Sequence, residues 1–204
     1  MDDIKGLLKK YKNIPEERFF NEIFKEKEYK PALYRKADVV IDVGACAGEF
    51  SAYIYKKAKV IYALEPFSEH FAELSDNVEQ FGLTKIKPYR LALGDFNGEG
   101  ILSVGGGRGS HKLIKGPNGD KTEPVDVKTL ATFMKDEEID RVDILKTDIE
   151  NGETELYNSP DFKDVAGKIK FIIGEHSNDY VSDALRRCGF YYVDTPRGFI
   201  AKRK

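Results

Sequence analysis

From Asp38 onward, short apolar runs alternate with longer segments whose apolar residues recur at helical spacing. Val39-Val40-Ile41-Asp42-Val43 is rich in β-branched residues and reads as a strand covered on both faces of a parallel sheet. Glu49 to Lys57 reads as a short helix, and Val60 to Leu64 as a second buried strand. Phe67, Phe71, Leu74, Val78 and Phe81 then mark one helical face, with Ser68 as N-cap and Gly82 as the stop. Ile86 to Leu93 is a third strand. A helix over Leu130 to Glu138, a strand over Val142 to Thr147 and a helix over Glu153 to Tyr157 follow. Ile169 to Ile173 is a strand, and Tyr180 to Cys188 a helix closed by Gly189. Phe190 to Val193 and Phe199 to Lys202 form a closing antiparallel pair. The alternation predicts an α/β fold with an open, doubly wound, mostly parallel seven-stranded sheet.

Residues 1–37 read as a charged, aromatic-studded helical extension, with Ile4, Leu7, Leu8 and Tyr11 at helical spacing. The domain proper is expected over 38–204, with an insert over 96–127. The length of 204 residues suits one domain. Thirty-three basic against 35 acidic residues give a net charge of −2, which argues against a broad basic face for nucleic acid. Two cysteines are too few for a disulfide framework, and no run is apolar enough for a signal peptide or a membrane span. A cytoplasmic location is the expectation. Nine of the 18 glycines fall within residues 94–119, so this insert reads as a hairpin over Ile101 to Val104 followed by a mobile lid.

In such a sheet, ligands bind at the carboxyl ends of the strands. Gly44 and Gly48, after the first strand, permit a tight turn and close approach of a ligand. Glu65 follows the second strand, where an acid accepts hydrogen bonds from a ribose diol. Asp42 stands at the end of the first strand, and a carboxylate about 5 Å from a pyrophosphate would cost on the order of 3 kcal/mol. The same charge suits an ammonium and a sulfonium, so S-adenosylmethionine is the expected cofactor. Ala92 and Leu93 can wall an adenine slot, and Asp95 can accept from its amino group. Asp148 and Glu150 follow the fourth strand, and Glu175 and His176 the fifth. Arg108, His111 and Lys112 in the insert can grip an anionic group on the acceptor.

These segments resemble the FkbM family of S-adenosylmethionine-dependent methyltransferases, a class I, Rossmann-like group. The likeness rests on Val40-Ile41-Asp42-Val43-Gly44-Ala45, Ala63-Leu64-Glu65-Pro66 and Leu91-Ala92-Leu93-Gly94-Asp95. Lys128-Thr129-Leu130, the run from Val142 to Glu150, and Glu175-His176 complete it. The resemblance implies O-methylation of a hydroxyl on a sugar, glycan or small natural product. It also implies cofactor contacts at Asp42, Gly44 and Glu65, with neighbouring Ala45, Gly48 and Pro66 in the same segments. Asp148 and Glu150 fall at the junction of cofactor and acceptor. Asn151 stands where the family pattern has glycine, and Cys46 where asparagine is commoner.

Transfer to an alcohol needs the acceptor held about 3 Å from the methyl carbon and a base for its proton. His176 or Asp148 is the candidate base, with Glu150 and Glu175 orienting the acceptor. Asp148, Glu150 and Glu175 can alternatively hold Mg²⁺ or Ca²⁺, although no metal is assigned. Competing readings are a nicotinamide oxidoreductase, a non-catalytic nucleoside-binding protein, and a nucleic-acid methyltransferase.

Overall fold

The computed structural model describes residues 36–105, 111–114, 121–175, 178–196 and 198–204. Its first half runs β1 (Ala37–Val43), α1 (Glu49–Ile54), β2 (Ala58–Leu64), α2 (Ser68–Gln80) and β3 (Ile86–Tyr89). Four short strands follow: β4 (Ala92–Leu93), β5 (Gly98–Val104), β6 (Lys112–Ile114) and β7 (Lys121–Lys128). Then come α3 (Leu130–Asp136), β8 (Ile144–Thr147), α4 (Glu153–Asn158), α5 (Pro160–Val165) and β9 (Phe171–Gly174). The chain closes with α6 (Asp179–Arg187), β10 (Phe190–Thr195) and β11 (Gly198–Arg203). The helical reading of the N-terminal extension lies outside the described residues.

The large sheet has the order β10-β11-β9-β8-β1-β2-β3. Neighbours pair in parallel from β3 to β9, and β11 is antiparallel to both β9 and β10. Six strands therefore share one direction and β11 opposes them. The order reverses between β1 and β8, which opens a crevice at their carboxyl ends. Both faces are covered. Val40, Ile61 and Ile144 meet Phe50 and Ile54 of α1 and Leu74 of α2. Ile41, Leu145 and Ile172 meet Phe133, Leu156, Phe162 and Leu185 on the opposite face. Each of these fully buried side chains contributes about 1.5–3 kcal/mol.

The third predicted strand breaks in two. β3 ends at Tyr89, and Ala92–Leu93 leave the large sheet to pair in parallel with Val127–Lys128 of β7. The described part of the insert lies in a second sheet of order β4-β7-β5-β6, in which the antiparallel pair β5 and β6 is extended by β7 and β4. Lys112–Ile114, expected within the mobile lid, form a strand on β5. Leu113 packs on a small core of Phe67, Ala92, Leu102, Val125 and Val127. A Cβ on Gly100 would lie 2.6 Å from Val127 and 2.8 Å from Leu113, so this glycine serves close packing rather than mobility.

Ser68 does not cap α2. It is the first helical residue, and its N–H and hydroxyl donate to Glu123 of β7 at 2.7 and 2.8 Å. The second sheet thereby caps α2 from a distance. Helix α5 escaped the apolar pattern, although Ser159 accepts from the Phe162 N–H and Pro160 opens the first turn.

Candidate active site

The turn after β1 sits directly against the turn after β8. Gly44 has φ +74°, and a Cβ there would lie 1.8 Å from the Asp148 carbonyl oxygen. The Asp148 N–H donates to the Val43 carbonyl at 3.1 Å. The N–H groups of the glycine turn point inward. Those of Gly44 and Ala45 donate to the Leu64 carbonyl, that of Gly48 to Ala45, and that of Cys46 to Glu65 Oε2. A turn that cradles a pyrophosphate needs such N–H groups free. This observation disfavours a dinucleotide.

It also replaces the charge argument made for Asp42. That carboxylate is fully buried, accepts from Ser51 Oγ at 2.7 Å and lies 3.2 Å from Lys146 Nζ. Its charge is neutralised inside the protein. Asp42, Ala45 and Gly48 shape the turn from behind and are not among the described residues that wall the cavity.

Glu65 does wall it. Its Oε1 accepts from the Phe67 N–H at 2.9 Å and its Oε2 from the Cys46 N–H at 2.8 Å. Burial pushes the Glu65 carboxyl up to about 7, against the pull of those two N–H donors and of Lys146. Pro66, Ala92, Leu93 and the exposed Asp95 continue the same wall. The adjoining cavity measures about 880 Å³, within the usual range for a ligand site.

At the other end stand Asp148, Ile149, Glu150 and Asn151. Glu150 and Asn151 are both left-handed, at φ +53° and +76°. Asparagine tolerates this conformation better than most residues, which accounts for its place where the family pattern has glycine. Asn151→Gly should leave thermal stability equal or slightly raised, whereas Asn151→Val should cost about 1–2 kcal/mol in thermal denaturation.

Lys146, whose place in the site depends on strand register and not on local pattern, is the hub beneath these turns. It is 3% exposed and donates to the Gly44 carbonyl at 2.7 Å. Its Nζ lies 3.2 Å from Asp42 and 3.6 Å from Asp148. These carboxylates hold its pKa above the usual lysine value in spite of burial.

The second sheet forms the far wall through β5 and β6. Lys112 lies on it, but His111 turns toward Phe67 and His70, at the Glu65 end of the cavity. Its ring packs on Phe67 with centroids 4.1 Å apart and planes tilted by 34°, and lies 5.0 Å from His70, which itself stands 3.8 Å from the Cys46 sulfur. Burial lowers the His111 pKa, so it is a poor cation for an anionic acceptor. Arg108 and His176 lie outside the described residues. Glu175 is exposed just beyond β9, where its N–H donates to the Thr147 carbonyl at 3.2 Å, and is not among the described residues that wall the cavity. Among the described residues, no three His, Cys, Asp or Glu side chains converge as a metal site.

The strand order, the inward-turned glycine loop and the acid after β2 together define the class I methyltransferase architecture. Residues 42–192 match the methyltransferase FkbM domain, and the chain belongs to that family of S-adenosylmethionine-dependent methyltransferases. An FkbM methyltransferase from Methylobacillus flagellatus KT superposes with a TM-score of 0.52 at 15% identity, over 82% of this chain and 44% of that one. TrmK from M. capricolum, solved with S-adenosyl-homocysteine, gives a TM-score of 0.50 at 14% identity, over 86% of this chain and 67% of that one. At these identities the likeness is one of fold. The chain spans less than half the length of the Methylobacillus protein. No curated protein sequence matches the chain. Among the described residues, no helix is long and apolar enough to cross a membrane.

Proposed function

We propose that the protein methylates a hydroxyl group on a sugar, glycan or small natural product. The observation that carries this reading is a single cavity with Glu65 on one wall and Asp148 and Glu150 on another. S-adenosylmethionine supplies a methyl group already activated by its sulfonium. In this reading Glu65 accepts from the ribose hydroxyls, Ala92 and Leu93 flank the adenine, and Asp95 accepts from its amino group. Asp148, beside the Lys146 ammonium, faces the cationic end of the cofactor. Glu150 orients the acceptor hydroxyl, and His176 takes its proton, worth about 10²–10⁴-fold in rate.

The acceptor is read as uncharged at its reacting end. Among the described residues on the wall, Lys112 is the only lysine or arginine, against six carboxylates. An anionic acceptor would meet repulsion there. The test is S-adenosyl-homocysteine release with matched neutral, carboxylated and amino glycosides, followed by mass spectrometry of the product. Methyl ethers are expected. Methyl esters or N-methyl products would overturn the reading. Full turnover in both His176→Ala and Asp148→Asn would remove the assignment of those two residues.

A further inference from the structure

Lys146 lies on β8 in register with Asp42 of β1, so the two charges meet across neighbouring strands. Both side chains are almost wholly buried, whereas Asp148 is about a quarter exposed. The ammonium has three donors. It donates to the Gly44 carbonyl at 2.7 Å and to the Val43 carbonyl at 3.4 Å, and the carboxylates of Asp42 and Asp148 stand beside it at 3.2 and 3.6 Å as ion pairs. Asp42 balances the buried charge. The contact with Gly44 reaches the cofactor turn, and that with Asp148 reaches the cavity.

Backbone packing already fuses these two turns at the Gly44–Asp148 contact. It acts through backbone atoms, whereas the Asp148 carboxylate at the cavity wall has the Lys146 ammonium, 3.6 Å away, as one of its restraints.

We propose that Lys146 is a positioning residue for methyl transfer. It ties the Gly44 carbonyl of the cofactor turn to the Asp148 carboxylate, and so sets where that carboxylate stands relative to the cofactor's cationic end. The proposal rests on the reading that places Asp148 at the junction of cofactor and acceptor.

S-adenosylmethionine carries a sulfonium where S-adenosyl-homocysteine carries a neutral thioether. The ratio of their affinities therefore reports on charge recognition at that point. It can be measured by calorimetry on the full chain with no acceptor present. Asp148→Asn should lower the preference for S-adenosylmethionine by about fivefold. The charge-balanced pair Asp42→Asn with Lys146→Met should lower it to a similar degree. Adding Asp148→Asn to that pair should lower it no further, because one path is being cut twice.

A purely structural lysine would weaken both ligands by one factor and leave the ratio unchanged, which overturns the proposal. An unchanged ratio in Asp148→Asn would instead remove the reading of Asp148 itself. If the pair does not fold, Lys146→Arg keeps the charge and alters the donor geometry. A lowered ratio in that variant supports the role, and an unaltered one ends it.

Discussion

Gly44→Ala is expected to abolish cofactor binding and to cost about 2–5 kcal/mol of stability. Two penalties combine. A left-handed alanine costs about 1–2 kcal/mol, and overpacking a tight site costs about 1–3 kcal/mol more. The obstacle is the Asp148 carbonyl oxygen, 1.8 Å from the added Cβ, and a backbone atom cannot swing aside as a long side chain would. Relief requires the β1 and β8 turns to separate, which breaks the joint wall of the cavity. For a chain of this size, 3 kcal/mol corresponds to a melting temperature lower by about 6–12 °C. Thermal denaturation and S-adenosyl-homocysteine titration check the two parts. A Gly44→Ala protein that binds the cofactor normally would contradict the described packing.

Glu65→Gln should weaken cofactor binding by about 10–100-fold, the value of one or two charge-assisted hydrogen bonds. The pH dependence is diagnostic. With the carboxyl at about 7 in the free protein, about a tenth is ionised at pH 6 and about nine tenths at pH 8. Ribose hydroxyls donate to the carboxylate, so binding should tighten about tenfold across that range. In Glu65→Gln the profile should be flat.

Stability moves the other way. The folded value lies above the 4.5 of the free side chain, so the folded state holds the proton more tightly than the unfolded chain. Glu65 therefore makes the unliganded protein progressively less stable from about pH 4.5 to 7, by an amount on the order of 3 kcal/mol. Denaturant titrations of wild type and Glu65→Gln across this range isolate that contribution. A wild-type affinity that does not change between pH 6 and 8 would show that ribose binding does not require the carboxylate.

The legible parts of the sequence were those governed by neighbours along the chain. The β-branched run of β1 and the four-and-three spacing of α2 are local patterns, as is an acid placed just after a strand. They located the large sheet and the Glu65 wall. What stayed hidden depends on register between distant segments. That Asp42 faces Lys146 follows from the pairing of β1 with β8, about a hundred residues apart. The packing of His111 on Phe67 requires the start of β6 to reach the start of α2. Glycine misled for a different reason: its missing side chain gives freedom in a loop and close approach in a sheet, and composition cannot tell Gly100's use from the other. Glu123 was silent as well, because capping a helix from another sheet leaves no local signature.

The two ends of the second sheet meet where it leaves the main fold. Leu93 is paired with Lys128, and the Gly94 N–H donates to the Lys128 carbonyl at 3.1 Å. The excursion is therefore closed at its base, where a changed loop length adds little entropic cost, while Glu123 ties it to the start of α2 and Leu102 and Val127 tie it to Phe67. The second sheet is thus a panel riveted to the main fold at its base, at α2 and at Phe67, and an exchange of this stretch has to renew all three fixings.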